Sequence, residues 1–122
     1  MILSNLITCS WNQERLVVDS QYLGSGDDDL GTQLMGRFLR KLWQVDNKPA
    51  RIIFYNSGVK LLVEGSPVLD ALHGLSAAGV DLIACGTCVT YFGIKDKFAI
   101  GRISDMTEIA TELMVSPSVV TI

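Results

Sequence analysis

Hydrophobic positions along this chain form two kinds of pattern. Nearly continuous apolar runs at 15–20, 51–55 and 80–84 are typical of strands that are buried on both faces. The stretches 27–45 and 66–78 instead repeat apolar residues at every third or fourth position, which is the spacing of one helix face. The first two-thirds of the chain therefore predicts strands and helices in alternation.

The last third of the chain predicts shorter elements of the same kinds. Alternating strands and helices with apolar strands indicate a parallel sheet that is covered on both faces. We therefore predict an α/β fold, a three-layer sandwich with a mostly parallel sheet of about five strands. The further predicted elements are an extended piece at 59–64, a helix at 86–92 that Gly93 ends, a strand at 98–103, a helix at 105–114 and a last strand at 119–122.

The length of 122 residues and the apolar content of 48% suit a single domain with a real core. We assign residues 14–122 to that α/β domain. Residues 1–13 form an N-terminal extension of uncertain structure, and either an extra edge strand or an arm to a neighbouring subunit would fit them.

Charge, hydropathy and cysteine content limit the partners and the cellular location that we expect for this protein. The net charge of −3 argues against a nucleic-acid partner, because such proteins carry basic patches. No apolar run approaches the ~20 residues of a membrane span, so no membrane partner is expected. Residues 1–9 lack the basic start of a signal peptide. Three cysteines in a chain with a good core indicate reduced thiols and a cytoplasmic protein.

The sequence Cys85-Gly86-Thr87-Cys88 is the main candidate for chemistry, since it lies where a strand ends and a helix begins. A thiol near a helix N-terminus is favoured as the nucleophilic thiolate. Gly86 permits close approach of the backbone, and Thr87 offers a hydroxyl. The alternative is two half-buried cysteines that act as small hydrophobic residues. A zinc site would need further ligands such as Cys9 and His73, so we expect no metal.

The loops after the first two strands should emerge at the same edge of the sheet as the cysteine pair. Turns with an acidic helix cap, or a solvated surface lysine, are the alternative interpretations of these loops. The dinucleotide fingerprint is incomplete because position 29 is Asp, and no cofactor is expected. The candidate residues are Cys85 and Cys88 for catalysis and, for the pocket, Gly24, Gly26, Asp27, Asn56, Ser57, Gly58, Lys60, Gly86 and Thr87.

Four blocks of the sequence resemble the C-terminal domain of the YedF proteins, which are sulfurtransferase-like proteins associated with selenium metabolism. The blocks are LGSGDDDLG at 23–31, FYNSGVKL at 54–61, EGS at 64–66 and ACGTC at 84–88. They occur in the same order within residues 15–114. The YedF proteins belong to the DsrE/DsrF-like superfamily, and this chain is similar to them over most of its length.

The resemblance implies a DsrE-like fold and homo-oligomers, often trimers or hexamers. In related sulfur-relay proteins a cysteine near the third strand–helix corner carries persulfide sulfur, which would be Cys85 or Cys88 here, with Cys85 preferred. YedF proteins usually begin with a TusA-like domain that bears a Cys-Pro motif. This chain is too short to hold one, so a TusA-like donor or acceptor would act in trans.

Three functions fit these observations. The leading hypothesis is a sulfur or selenium relay protein of the sulfurtransferase type that carries persulfide on a cysteine of the CGTC motif. A thiol–disulfide oxidoreductase or redox sensor would use Cys85 and Cys88 as a redox pair. A non-catalytic oligomer subunit would bind a partner through the same edge of the sheet.

Overall fold

A computed structural model describes residues 14–122 of the protein. Five strands form one sheet in the order β4-β3-β2-β1-β5, and every neighbouring pair is parallel. The strands are β1 (Glu14–Val18), β2 (Arg51–Phe54), β3 (Asp81–Cys85), β4 (Arg102–Ser104) and β5 (Ser118–Thr121). The helices are α1 (Asp28–Gln44), α2 (Leu69–Ala77), α3 (Gly86–Phe92) and α4 (Met106–Val115), with 3-10 segments at Asn56–Leu62 and Lys95–Lys97.

The order of the strands decides which face each helix covers. From β1 to β4 the chain moves in one direction across the sheet, so right-handed crossovers place α1, α2 and α3 on one face. The step from β4 to β5 runs back across the sheet and places α4 on the other face. The larger core accordingly joins Leu39 of α1 and Leu72 of α2 to Phe54. The smaller core joins Ile109 of α4 to Ile53 and Ile83.

The predicted three-layer α/β sandwich with a parallel sheet is confirmed, but two predicted elements differ from the structure. Residues 59–64, predicted as extended, lie mostly within the 3-10 segment Asn56–Leu62. The strand predicted at 98–103 is limited to Arg102–Ser104, because the N–H groups of residues 99 and 100 donate to the Leu62 carbonyl instead of joining the sheet. The extension predicted for residues 1–13 lies outside the described residues.

A network of ion pairs lies between the sheet and α4. Arg102 bonds Asp81 of β3 at 2.9 Å and Glu108 of α4 at 2.6 Å. Ser104 also donates a hydrogen bond to Glu108. The Arg102 guanidinium, followed by the Ser104 hydroxyl, lowers the pKa of Glu108 from its usual 4.5 to about 2. Arg15, which is buried, pairs with Glu112 one turn further along α4.

Glu108→Gln should lower the free energy of unfolding by about 1 kcal/mol at neutral pH, since solvent screens a carboxylate that is one-third exposed. The pKa of Glu108 is depressed in the folded state, so its contribution is complete above the unfolded value of 4.5. The contribution is lost as the pH falls toward about 2. Urea titrations at several pH values should show the difference between the variant and wild type shrinking over that range.

Glu64→Gln is the matched control, because Glu64 is an exposed glutamate outside this network. The control should change the free energy of unfolding little at any pH. A Glu108→Gln difference that stayed constant between pH 5 and pH 2 would contradict the linkage.

Candidate functional site

The CGTC motif forms the corner between β3 and α3. Cys85 is the last residue of β3 and occupies the N-cap position of α3 in an extended conformation. The helix ends at Gly93, as predicted from the sequence. Gly86 lies against the neighbouring strand, since a Cβ atom there would be 3.0 Å from the carbonyl oxygen of Ser104. The start of α3 therefore lies against the end of β4, beside the point where the connections after β3 and β4 leave toward opposite faces of the sheet.

The two thiols of the motif differ in exposure. Cys85 is only 1% exposed and lies in the smaller core with Ile53, Ile83 and Ile109. Cys88 is partly exposed, and both cysteines are free thiols. The preference for Cys85 that came from the resemblance is not supported by this burial. Cys88 is the thiol of the pair that a reactant could reach.

Cys88 lines a cavity of about 380 Å³ at the carboxyl edge of the sheet. The other lining residues are Asn56, Thr87, Tyr91 and Phe92. The rings of Tyr91 and Phe92 meet edge to face with 5.2 Å between their centroids. Lys60 places its Nζ 4.4 Å from the centre of the Phe92 ring, on the 3-10 segment next to this wall. The Cys88 thiol thus shares a cavity with two aromatic rings, and the Lys60 ammonium lies over one of them.

A slightly larger cavity of about 420 Å³ lies at the opposite edge of the sheet. It is lined by residues 46–50 and 78–80, which precede β2 and β3. Neither segment contains a cysteine or histidine. We place the candidate site at the smaller cavity, because that cavity contains the accessible thiol.

The environment of Cys88 contradicts the expectation of a lowered pKa. Burial raises the pKa of the Cys88 thiol, and the neighbouring Cys85 thiol raises it further. The backbone N–H of Asn56 opposes both effects by donating a hydrogen bond to Cys88 Sγ at 3.0 Å. The expectation was wrong because it considered the helix end and not the partial removal of the sulfur from water. In the resting protein this thiol holds its proton more firmly than an exposed cysteine does.

The glycine-rich loop after β1 does not reach this cavity. Gly24 and Gly26 are exposed and have the positive φ angles of a tight turn. Asp27 is the N-cap of α1, and its Oδ1 accepts a hydrogen bond from the Leu30 N–H at 2.9 Å. The alternative interpretation, a turn with an acidic helix cap, accounts for all three residues.

Ser57 and Gly58 hold the loop after β2 against the end of β1. Ser57 Oγ accepts a hydrogen bond from the Gln21 N–H at 3.1 Å. A Cβ atom at Gly58 would lie 2.2 Å from the carbonyl oxygen of Val18, so only glycine fits there. These residues support the site from outside the cavity, whereas Asn56 and Thr87 line it.

Tyr91 and Phe92 were not among the candidates from the sequence. The sequence predicts a short helix at 86–92, in which residues three and four positions after Cys88 share its helix face. That spacing was the available signal. The structure shows that they form the wall of the cavity, with Tyr91 83% exposed.

The described residues hold neither a cluster of metal ligands nor a membrane-spanning helix. Within residues 14–122 there is no group of three or more His, Cys, Asp or Glu side chains that could hold a metal ion. Among the helices of the same residues, none has the length and apolar character needed to cross a membrane.

The fold and the site define a parallel α/β protein with a half-buried thiol at the carboxyl edge of its sheet. Residues 32–122 match the profile of the DsrE/DsrF-like family. This match covers most of the chain, and the protein belongs to that family. No curated protein matches the sequence.

Several solved structures share the fold. The ychN protein from E. coli is 18% identical, with a TM-score of 0.64 over 91% of this chain and 99% of its own. MTH1491 from Methanobacterium thermoautotrophicum, a protein of unknown function, is 18% identical, with a TM-score of 0.65 over 89% and 97% of the two chains. BT1422 from Bacteroides thetaiotaomicron is 15% identical, with a TM-score of 0.63 over 93% and 97%. At these identities the likeness concerns the fold.

Proposed function

We propose that this protein is a sulfur relay protein that carries persulfide on Cys88. The observation that supports the proposal most directly is the position of the Cys88 sulfur, which lies at the cavity wall and accepts the Asn56 N–H. Membership of the DsrE/DsrF-like family adds support, because that family is associated with sulfur relay. The resemblance to YedF proteins extends the proposal to selenium as an alternative cargo.

The chemical step is a transfer of one sulfur atom between thiols. The Cys88 thiolate attacks the outer sulfur of a donor persulfide, and the sulfur–sulfur bond of the donor breaks. The donor leaves as a thiolate that takes up the proton lost by Cys88. The product is a Cys88 persulfide. The Cys88 sulfur is oxidised by one level as the inner sulfur of the donor is reduced by one, so the transfer needs no outside oxidant or reductant. Delivery to an acceptor thiol is the same reaction in reverse.

The cavity suits a protein donor or acceptor acting in trans, such as one of the TusA type. Tyr91 is 83% exposed beside the thiol, and exposed aromatic side chains often anchor protein partners. Phe92 and Tyr91 would shield the outer sulfur from water while the partners exchange. We also propose that residues 14–122 form one domain, that the protein is cytoplasmic and that it assembles into trimers or hexamers.

A thiol–disulfide oxidoreductase is the second candidate function. It is favoured by the closeness of the two thiols, since Cys85 is near enough to raise the pKa of Cys88. The burial of Cys85 argues against rapid exchange with outside disulfides. A reduction potential in the range of thioredoxin, together with turnover on disulfide substrates, would favour this candidate.

The proposal is tested by incubating the reduced protein with a small-molecule persulfide and measuring its intact mass. We expect each chain to gain one sulfur atom that a thiol reductant removes. Protein whose thiols have first been alkylated should gain none. A wild-type protein that gains no sulfur under these conditions would contradict the proposed function. Loss of two hydrogen atoms instead would indicate a disulfide within the chain, and its persistence in a Cys9→Ser variant would assign it to Cys85 and Cys88.

A further inference from the structure

Asn56 has an unusual backbone conformation next to Cys88. Its φ angle is +51°, and within residues 14–122 it is the only residue other than glycine with a positive φ. Asparagine tolerates this left-handed conformation better than most residues because its side chain bonds the local backbone. Here its Oδ1 accepts a hydrogen bond from the Ser57 N–H at 2.8 Å. The side chain of Asn56 is therefore turned toward its own loop.

The residues on both sides of Asn56 are held in place. Before it, the Tyr55 N–H donates to the Val18 carbonyl at 3.2 Å and continues the pairing of β2 with β1. After it, Ser57 accepts the Gln21 N–H, and Gly58 lies against the backbone of Val18. With both sides held, the peptide between residues 55 and 56 keeps its orientation only if residue 56 remains left-handed.

That peptide supplies the hydrogen bond to the thiol. N–H groups along a strand alternate between its two neighbours, and the Tyr55 N–H is directed toward β1. The next N–H, that of Asn56, lies on the side of β3, where the chain has already turned into α3. The Cys88 sulfur accepts this N–H at 3.0 Å in place of a strand carbonyl.

We propose that Asn56 is a positioning residue for Cys88: its side chain keeps residue 56 left-handed, which holds the residue 56 N–H at the Cys88 sulfur. The inference deepens the proposed function, since Cys88 is the thiol that would carry sulfur. The part of Asn56 that acts on the thiol is its backbone, whereas its side chain determines the conformation. Glycine at position 56, which adopts the left-handed conformation readily, should therefore preserve the hydrogen bond to Cys88.

The N–H of residue 56 stabilises the charged form of the thiol, which is the form that attacks a persulfide. The other titratable groups around Cys88 are Cys85 at the end of β3, Tyr55 after β2, Tyr91 on the cavity wall and Lys60 above Phe92. A substitution at position 56 leaves Tyr55, Tyr91 and Lys60 unchanged, and the background of the test removes Cys85 from every variant. Differences between position 56 variants then report on the hydrogen bond.

The test is an ultraviolet titration of the Cys88 thiolate in a Cys9→Ser/Cys85→Ser background, which leaves Cys88 as the single cysteine. Asn56→Val should raise the pKa of Cys88 by about one unit, a roughly tenfold loss of thiolate near neutral pH, because a β-branched residue disfavours the left-handed conformation. Asn56→Gly should keep the pKa near that of the background protein, because glycine adopts the same φ without strain. Unfolding midpoints establish that each variant is folded.

The inference is overturned if Asn56→Val leaves the pKa unchanged, or if Asn56→Gly raises it as much as Asn56→Val does. If the valine variant does not fold, Asn56→Ala takes its place, with a smaller rise expected and an unchanged pKa contradicting the inference. The titration does not depend on sulfur transfer. A wild-type protein that gains no sulfur would contradict the carrier function and leave the role of Asn56 to be decided by the pKa values.

Discussion

Cys88→Ser should abolish the gain of sulfur from a persulfide donor, whereas Cys85→Ser should retain most of it. The two thiols lie three residues apart but differ in access, since Cys85 is 1% exposed and Cys88 lines the cavity. A donor sulfur can reach Cys88 at the cavity, whereas Cys85 is buried among Ile53, Ile83 and Ile109. Serine removes the nucleophile, because its hydroxyl keeps its proton at neutral pH.

The measurement is intact-mass spectrometry of both single variants and the wild type after the same incubation. Cys85→Ser is the matched control, since it makes the same chemical change within the same motif. Cys9→Ser tests for loading at the third cysteine and should leave the gain of sulfur unchanged. Loading that survives in Cys88→Ser and disappears in Cys85→Ser would reverse the assignment and restore the preference that came from the resemblance.

Gly58→Ala should cause a large loss of stability, about 3 kcal/mol in the free energy of unfolding. The added Cβ would lie 2.2 Å from the carbonyl oxygen of Val18, which is a backbone atom in a fully buried residue. That carbonyl is also bonded to the Tyr55 N–H, so it cannot move aside without breaking the pairing of β1 with β2. Thermal unfolding should show a fall in Tm of roughly 10 °C.

Gly24→Ala provides the comparison for this substitution. Gly24 has a φ of +83°, but an added Cβ would meet no atom within 4 Å. The cost there is limited to the left-handed backbone and should be about 1 kcal/mol. Equal losses in the two variants would show that the contact at Gly58 is relieved by a small shift of the loop.

The sequence was sufficient for the elements whose burial is continuous along the chain. The apolar runs at 51–55 and 80–84 located β2 and β3, and the turn residue Gly93 located the end of α3. Residues 59–64 have the same apolar character but contribute to a 3-10 segment. Val59, Leu61 and Leu62 are buried in the larger core without being part of a strand, and a local pattern cannot distinguish these two environments.

The sequence predicted only part of the candidate site. The CGTC motif and the loop at Asn56 were identified correctly as neighbours, because parallel strands end at a common edge. The glycine-rich loop shares that edge without reaching the cavity. Tyr91 and Phe92 were missed because their role depends on the face that α3 presents, which the motif itself does not specify.

By itself the sequence determined that this protein is a parallel α/β protein with two thiols at a strand–helix corner. Its apolar runs require strands covered on both faces, and its Cys-x-x-Cys spacing lies at the end of one of them. Only the tertiary structure decided which of the two thiols is accessible to a reactant. The return from β4 to β5 places α4 over the end of β3, so Ile109 helps to bury Cys85. Cys88 lies on α3, on the other side of the corner, and lines the cavity, where it accepts a hydrogen bond from the N–H of Asn56, 32 positions earlier in the chain.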